Sequence, residues 1–263
     1  MRLRAHFKNR HRGVHFPPWD INRHGYRVFS QHREDGIIDY LLDHLPSLNR
    51  RFVEIGFAAD QCNCLNMLIN RNYRGVFIDA NPQKCATART LLRRLAADRA
   101  VIAECLVDID NINPLLSDLH FSRNIDVLSI DIDGNDFWIF EAIETDAKIV
   151  VVEYNASFGI ERSISVPYSA DFDRYRMHPS GLYHSASLRA FERLGMRKGY
   201  SLVAVDNTGV NAFFVRDDFV DKDIKRQSAE KVFRSHRSRT RYKKLSEERQ
   251  YEMVADMPFV EVS

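Results

Sequence analysis

The sequence predicts an α/β fold built on a mainly parallel β-sheet. Short apolar segments typical of strands alternate with segments of helical periodicity along much of the 263-residue chain. Strands this apolar indicate a parallel sheet that helices cover on both faces. The last two strand segments, 200–206 and 211–216, are separated by only four residues, and so short a connection joins antiparallel strands. We therefore expect about six parallel strands and one antiparallel strand at the C-terminal end.

The individual elements have local signals in the chain. The first helix is predicted to begin at Ser30, a good N-cap, with an acidic first turn at Glu34 and an end at Pro46. Asn81 and Pro82 are predicted to open another helix. The other parallel strands are predicted at 51–56, 75–80, 100–107, 125–131 and 148–154, and the later helices at 60–70, 81–98, 137–143 and 185–195.

The regions outside this alternation differ in composition. Residues 1–27 are predicted to form a basic N-terminal arm, 28–216 the main domain and 217–263 a basic C-terminal extension. The extension is interpreted either as a solvated helical segment whose last residues dock on the domain, or as a surface for an acidic or phosphate-bearing partner. Residues 156–184 show little periodicity, and a loop of that length is usually functional or mobile.

Composition excludes several classes of protein. The net charge is only +2, so the chain as a whole is not a polyanion binder, and nucleic acid is not an expected partner. No segment approaches the ~20 apolar residues of a membrane span, and the N-terminus lacks the apolar core of a secretory signal. The cysteines, which lack zinc-ligand spacing, are expected to be buried free thiols in the cytoplasm; they are Cys62, Cys64, Cys85 and Cys105.

Acidic residues at the ends of the first two strands predict a nucleoside site. Glu54 and Gly56 end the first strand, and Asp79 ends the second, 23 residues after Gly56. An acidic residue at that distance reaches ribose hydroxyls in nucleotide-binding α/β folds. Only one glycine of a G-x-G-x-x-G motif is present, and Asp60 would repel a phosphate. S-adenosylmethionine (SAM) has a ribose and a sulfonium but no phosphate, so we predict a SAM site; ordinary polar strand ends are the alternative.

A second acidic group follows the fourth strand. The run IDVLSIDIDGND, residues 125–136, places Asp131, Asp133 and Asp136 together, and the fifth strand delivers Glu153 and Asn155. Crowded carboxylates need a cation, a cationic cofactor or raised pKa values to offset their repulsion. Oxygen ligands of this type suit Mg²⁺, Mn²⁺ or Ca²⁺. The predicted metal ligands are Asp131, Asp133, Glu153 and Asn155.

Several segments together resemble the FkbM-like branch of the class I SAM-dependent methyltransferases. The most specific are VLSIDIDGNDFWIFEAI and VVVEYNASFG, with FVEIGFAADQCN and GVFIDANP before them, and the resemblance covers about residues 28–216. It implies a Rossmann-like sheet and an O-methyltransferase that acts on a hydroxyl of a small molecule, sugar, glycan or natural product. It places Gln31, Glu34 and Asp35 near the SAM carboxylate, unless they only cap a helix. Glu104, at the end of the third strand, is expected to face the adenine.

The resemblance leads to a mechanistic hypothesis. The acidic site is similar to that of catechol-type O-methyltransferases, although the Glu153-x-Asn155 spacing departs from theirs. A bound metal would lower the pKa of an acceptor hydroxyl, and the oxygen would attack the SAM methyl group. His178 or His184 would take the proton. In the competing hypothesis, Asp131 and Asp133 orient the SAM amine and the acceptor directly, without a metal.

Other interpretations of the same residues stay open. The aromatic residues around the long loop suit sugar rings, a hydrophobic product or a packed lid; they are Tyr154, Phe158, Tyr168, Tyr175 and Tyr183. The string DIDGND also resembles the nucleophile loop of haloacid-dehalogenase-like phosphatases, in which Asp131 would attack phosphorus with Mg²⁺ present. That loop normally follows the first strand of its fold, and here three strands precede it. A non-catalytic scaffold that binds a partner through its basic tail is a further alternative.

Overall fold

The computed structural model describes residues 16–58, 61–96 and 98–263. The predicted N-terminal arm therefore lies outside the described residues up to position 15, as does Asp60 with its predicted effect on phosphate. The described part of the arm contains a short 3₁₀ helix, Ile21–His24. The described residues divide into two compact units: unit 1 comprises those up to Ile130 together with Glu144–Val150, and unit 2 comprises Asp131–Ile143 and Val151–Ser263.

Within the described residues the main sheet has seven strands, and it confirms the predicted α/β class. Their order is β3-β2-β1-β4-β5-β8-β7. β1 is parallel to β2 and to β4, β2 is parallel to β3, and β7 and β8 form the predicted antiparallel pair. The strands are β1 Arg51–Ile55, β2 Arg74–Asp79, β3 Ala100–Glu104, β4 Val127–Ile130, β5 Ile149–Glu153, β7 Tyr200–Val205 and β8 Asn211–Arg216; a separate antiparallel pair joins β6 Ile164–Ser165 to β9 Val260–Glu261.

Helices surround the sheet. Asn81 accepts hydrogen bonds from the N–H groups of Gln83 and Lys84 at 2.9 and 3.1 Å, which confirms the predicted start of α3. The helices are α1 Glu34–Asp43, α2 Leu65–Asn70, α3 Pro82–Ala96, α4 Ile112–Asp118, α5 Asp136–Ala142, α6 Arg174–Met177, α7 Leu188–Arg197, α8 Ala229–Val232 and α9 Glu247–Glu252, with 3₁₀ turns at Ala156–Phe158 and Asp217–Phe219 and a π-helical turn at Ser238–Tyr242. Among the described residues, no helix is long and apolar enough to span a bilayer.

The predicted start of the first helix at Ser30 was wrong. Ser30 lies four residues before α1, and Arg33 takes the N-cap position with a φ of +78°. Asp35 is the reason, because its Oδ2 accepts hydrogen bonds from the backbone N–H groups of Val28, Phe29 and Ser30 at 2.7–2.9 Å. This carboxylate binds the preceding loop in a non-helical path, so the helix begins later.

In unit 1, β1 and β4 end at the same level, and β2 ends one residue later, at Asp79. Ile55 of β1 is paired in register with Ile78 of β2 and with Ile130 of β4. Gly56 and Asp79 therefore follow at one edge of the sheet, and Asp131 is the next residue of the chain after Ile130. This is the edge at which open α/β sheets bind ligands.

In unit 2, the C-terminal segment covers the long loop after β5. β9 pairs with β6, and Val254 packs in a buried cluster with Phe158, Val166 and Tyr183. The loop that lacked periodicity is thus held by residues almost a hundred positions away, and the basic extension docks on it.

The four cysteines form no disulfide among the described residues, and three of them are buried as predicted. Cys62, Cys64 and Cys85 are buried, and Cys105 is half-buried. The three buried cysteines are packing residues, since a buried apolar site disfavours the reactive thiolate.

Candidate functional site

The loop after β1 is shaped by a glycine turn and by Asp79. Gly56 has a φ of +76°, a region that favours glycine, and its N–H donates to the Ile78 carbonyl at 2.8 Å. The Asp79 Oδ2 accepts from the Phe57 N–H at 3.2 Å and from Lys84 Nζ at 3.1 Å. The carboxylate thereby ties the first loop to the end of β2, and its cationic partner is a half-exposed lysine that a ligand could displace.

Glu54 of β1 binds the backbone at the far end of this loop, at Asn63 and Cys64. It is 2% exposed, and its two oxygens accept hydrogen bonds from the N–H groups of Asn63 and Cys64 at 2.7 and 2.9 Å. Burial raises the pKa of Glu54 to about 7. Because both oxygens accept from backbone donors, Glu54 holds the backbone at Asn63 and Cys64 and has no oxygen left for a further backbone donor.

The remaining residues predicted to bind the cofactor are spread over unit 1. Gln31 is exposed, and Glu34 is buried and accepts a hydrogen bond from the His32 N–H at 2.6 Å. Asp35 holds the preceding loop as described above. Glu104 is 42% exposed and pairs with Arg89 at 3.4 Å.

Among the described residues, unit 2 brings the predicted Asp131, Asp133, Glu153 and His184 into two overlapping clusters. One oxygen each of Asp131, Asp136 and Glu153 lie within 4.8 Å of one another, and so do ligand atoms of Asp133, Glu153 and His184. Asp136, which was not among the predicted ligands, accepts hydrogen bonds from the N–H groups of Ile132 and Gly134 at 2.8 and 3.0 Å. These two bonds fold the DIDGND turn around its own carboxylate.

Glu153 lies at the intersection of the two clusters. It is buried, and its Oε2 has no hydrogen-bond partner among the described residues. Burial, followed by the charges of Asp131, Asp133 and Asp136, raises the pKa of Glu153 well above its ordinary value. A buried carboxylate oxygen without a donor needs a proton, a cation or a ligand group.

Two arginines enter this acidic region. Arg174 forms an ion pair with Asp133, whose backbone has a φ of +58°, and also donates to the Gly181 carbonyl at 2.7 Å. Arg239 is only 8% exposed and donates to Ser157 Oγ at 2.8 Å. Burial lowers the pKa of Arg239 to about 10, so its guanidinium is still cationic at neutral pH.

His184 does not lie in a solvated loop. It is 1% exposed, with Nδ1 3.7 Å from Glu153 Oε2 and Nε2 3.4 Å from Arg239 Nη2. Burial and the charges of Arg174 and Arg239 lower the pKa of His184 well below its ordinary value. The ring is therefore neutral and poorly suited to store a proton. The other predicted proton acceptor, His178, hydrogen-bonds Ser180 Oγ at 2.7 Å within its own loop.

The side chain of Asn155 forms hydrogen bonds with the backbone of unit 2. Its Nδ2 donates to the carbonyls of Leu182 and His184 at 2.6 and 2.9 Å, and its Oδ1 accepts from the Ser157 N–H and from Arg239. An oxygen that faces a guanidinium is a poor ligand for a metal cation, because the two charges repel. The described contacts thus favour a cation site without Asn155.

The aromatic residues around the loop are mainly packing residues. Tyr154, Phe158 and Tyr183 are buried, and the Tyr183 hydroxyl donates to the Pro258 carbonyl. Tyr168 is half-buried, and Tyr175 is exposed, at 68%. Of the three interpretations given for these aromatic residues, a packed lid fits the buried ones.

Comparisons with known proteins give structural similarities only. No family model and no curated protein sequence matches the chain. Among solved structures, it is similar to a cofactor-bound Rv0187 from MTB (19% identity, TM-score 0.45, covering 73% of this chain and 84% of the other). It is also similar to an O-methyltransferase from Bacillus cereus in complex with SAH (16%, 0.43, 67% and 76%) and to magnesium protoporphyrin IX methyltransferase from Synechocystis PCC 6803 with bound SAM (9%, 0.44, 70% and 77%). At this level of similarity, the function has to be inferred from the residues of this chain.

Proposed function

We propose that the protein is a SAM-dependent O-methyltransferase that acts on a hydroxyl of a small molecule such as a sugar, a glycan or a natural product. The observation that carries the proposal is the in-register pairing of Ile55 with Ile78 and Ile130, at which β1 and β4 end and β2 has one residue left, Asp79. It brings a glycine turn and Asp79 to the ligand-binding edge of a parallel sheet, and Asp131 follows directly in the chain. The resemblance of the SIDIDGND and VEYN stretches to methyltransferases supports the same reaction.

The edge residues of unit 1 fit a nucleoside without phosphates. Gly56 gives the backbone room for a close approach, and Asp79 would bind ribose hydroxyls in exchange for Lys84. Glu54 would support the loop, Glu104 would lie toward the adenine and Gln31 toward the methionine end. Asp131 would face the positively charged part of SAM, for which an acidic group is suited.

The acidic clusters of unit 2 fit a hard divalent cation. Asp131, Asp136 and Glu153 offer oxygen atoms within 4.8 Å of one another, and the orphaned Glu153 Oε2 lacks any other partner among the described residues. When bound, such a cation would lower the pKa of an acceptor hydroxyl. Asp133, whose side chain is 59% exposed, would contact the acceptor.

Where no cation is bound, the proton of the acceptor hydroxyl would go to Glu153, since a cation would occupy the same Oε2 atom. Its raised pKa makes the deprotonated carboxylate a stronger base than an ordinary glutamate. His184, which the sequence suggested for this role, faces the same carboxylate with Nδ1 and would stabilise it.

Titration calorimetry with SAM tests the cofactor. We expect a single-site isotherm for the wild type, a much weaker one for Asp79→Ala, and no change for the exposed control Asp118→Ala. Absence of SAM binding would refute the proposal. It would indicate the phosphatase if a phosphate ester were turned over instead, and the non-catalytic scaffold if it were not.

Dialysis against EDTA tests the cation. Methyl transfer to a panel of hydroxylated acceptors should fall after dialysis and return with Mg²⁺. Unchanged activity without added metal would exclude the cation and leave the direct role of Asp131 and Asp133.

A further inference from the structure

The C-terminal segment delivers one guanidinium into the interior of unit 2. Arg239 lies in the π-helical turn Ser238–Tyr242 and is 8% exposed, whereas Arg241 two residues later is exposed. Leu245 donates its N–H to the Arg239 carbonyl at 3.1 Å, which closes the turn. One member of a strongly basic run is thus buried while its neighbour faces solvent.

The buried guanidinium is held by neutral groups. Nη1 donates to Ser157 Oγ at 2.8 Å and to Asn155 Oδ1 at 3.3 Å. Ser157 in turn donates its hydroxyl to Gln250 Oε1 at 2.8 Å, and Gln250 Nε2 donates to the Leu245 carbonyl at 2.9 Å. Three residues of the C-terminal segment, Arg239, Leu245 and Gln250, therefore share one network with the loop after β5, and this network fixes the position of the guanidinium.

The contact of Arg239 with His184 decides which nitrogen of the His184 ring accepts a hydrogen bond. A guanidinium has only donors, so the ring nitrogen that faces Arg239 Nη2 at 3.4 Å has to accept. In a neutral imidazole the other nitrogen then carries the hydrogen. That nitrogen is Nδ1, which lies 3.7 Å from Glu153 Oε2, and both atoms are buried without a hydrogen-bond partner among the described residues. The only donor that Arg239 leaves on the ring thus points toward Glu153.

The backbone holds the ring in the same direction. Ser185 has a φ of +54°, donates its N–H to the Gly134 carbonyl at 2.9 Å and donates its hydroxyl to the Glu153 carbonyl at 2.8 Å. These bonds connect the DIDGND turn, β5 and the residue after His184. The ring is therefore fixed from its backbone side as well as from Arg239.

We propose that Arg239 is a positioning residue that keeps His184 in the Nδ1–H tautomer, so that the ring donates toward Glu153, and that the C-terminal segment is by this contact a part of the acidic site. The kinetic consequence rests on the proposed methyl transfer, whereas the tautomer does not. Since an N–H donor is a poor metal ligand, the proposal also assigns any cation to the carboxylates and not to His184.

Nitrogen-15 NMR of the ¹⁵N-histidine-labelled protein tests the tautomer directly. The signal of His184 is assigned by its loss in His184→Gln. We expect an Nδ1–H ring in the wild type and in the control Arg241→Met, and a shift to the Nε2–H tautomer or a mixture of the two in Arg239→Met. An Nε2–H ring in the wild type would overturn the proposal. This test needs only the wild type, so it holds even if Arg239→Met does not fold.

Kinetics separate positioning from folding. Loss of a residue that orients a site group typically costs about 10- to 100-fold, so kcat of Arg239→Met should fall by that factor with an unchanged KM for SAM. Arg239→Lys, which keeps a donor, should recover part of kcat, and Arg241→Met should equal the wild type. Equal kcat in Arg239→Met and wild type would contradict the proposal. A wild type that never transfers methyl groups would refute the proposed function but leave the NMR result standing.

Discussion

At the scale of single residues, Glu153 combines a buried carboxylate with three acidic neighbours. A charge in that position is unfavourable in the folded protein unless a cation or a donor offsets it. A substitution that keeps the shape of Glu153 but removes its charge should therefore have opposite effects on stability and on activity.

Glu153→Gln should inactivate the protein and stabilise it. Loss of the proton acceptor is expected to lower kcat by about 10²- to 10⁴-fold. Because the pKa of Glu153 is raised on folding, the protonated form is favoured in the folded state, and its stabilisation is lost as pH rises through that pKa. At pH 8 the neutral Gln variant should thus have the higher melting temperature. The exposed control Glu161→Gln should change neither quantity, and a destabilised Glu153→Gln would show that the charge is compensated in the folded protein.

Glu54 should make stability depend on pH. Its pKa is about 7 in the folded protein against an ordinary 4.5. The folded state therefore binds more protons than the unfolded state in this window, and the free energy of unfolding falls as pH rises from 4.5 to 7, by up to about 3 kcal/mol. Urea denaturation across this range should show a flatter slope for Glu54→Gln. The variant also loses a hydrogen-bond acceptor, which lowers its stability at every pH. If the free energy of unfolding changed equally with pH in the wild type and in Glu54→Gln, Glu54 would not be the titrating group.

At the scale of elements, the turn after β1 provides a matched pair of glycines. Gly56 and Gly199 have φ values of +76° and +78°, and a side chain at Gly199 would meet no atom within 4 Å. Alanine at either position should cost about 1–2 kcal/mol through the left-handed backbone. Only Gly56→Ala should also weaken SAM binding by calorimetry. Equal SAM affinity in both variants would show that the loop after β1 does not bind the cofactor.

The C-terminal segment should stabilise unit 2 through Val254. This side chain is 1% exposed in the cluster with Phe158 and Tyr183, and Met253 beside it is 42% exposed. Removing two buried methyl groups costs about 1.6 kcal/mol in transfer free energy, plus a cavity term. Val254→Ala should lower the free energy of unfolding by about 2 kcal/mol, whereas Met253→Ala should lie within about 0.5 kcal/mol of the wild type. Similar values for the two would mean that the segment is only loosely attached.

At the scale of the whole molecule, the sequence predicted those features of the fold that depend on neighbouring residues in the chain. The short connection before β8 required an antiparallel pair, and the apolar strands required a covered sheet, so the fold class followed. The delayed start of α1 did not, because it depends on the side chain of Asp35 and on no helix-forming preference. The burial of Arg239 could not be predicted either. In the sequence it is one residue of a basic run, and its contact with Ser157 spans 82 positions.

Each unit should respond to its own ligand. A ligand that binds only the folded protein stabilises it by RT ln(1 + [L]/Kd), about 2.7 kcal/mol at a hundred times Kd. Thermal shift with SAM alone tests the loop of Gly56 and Asp79, and Mg²⁺ alone tests the carboxylates around Glu153. We expect Gly56→Ala to lose most of the SAM shift but keep the Mg²⁺ shift, and Glu153→Gln to do the reverse. If Glu153→Gln kept a full Mg²⁺ shift, the cation would have to bind elsewhere, and Glu153 would be left with the proton of the acceptor as its only role.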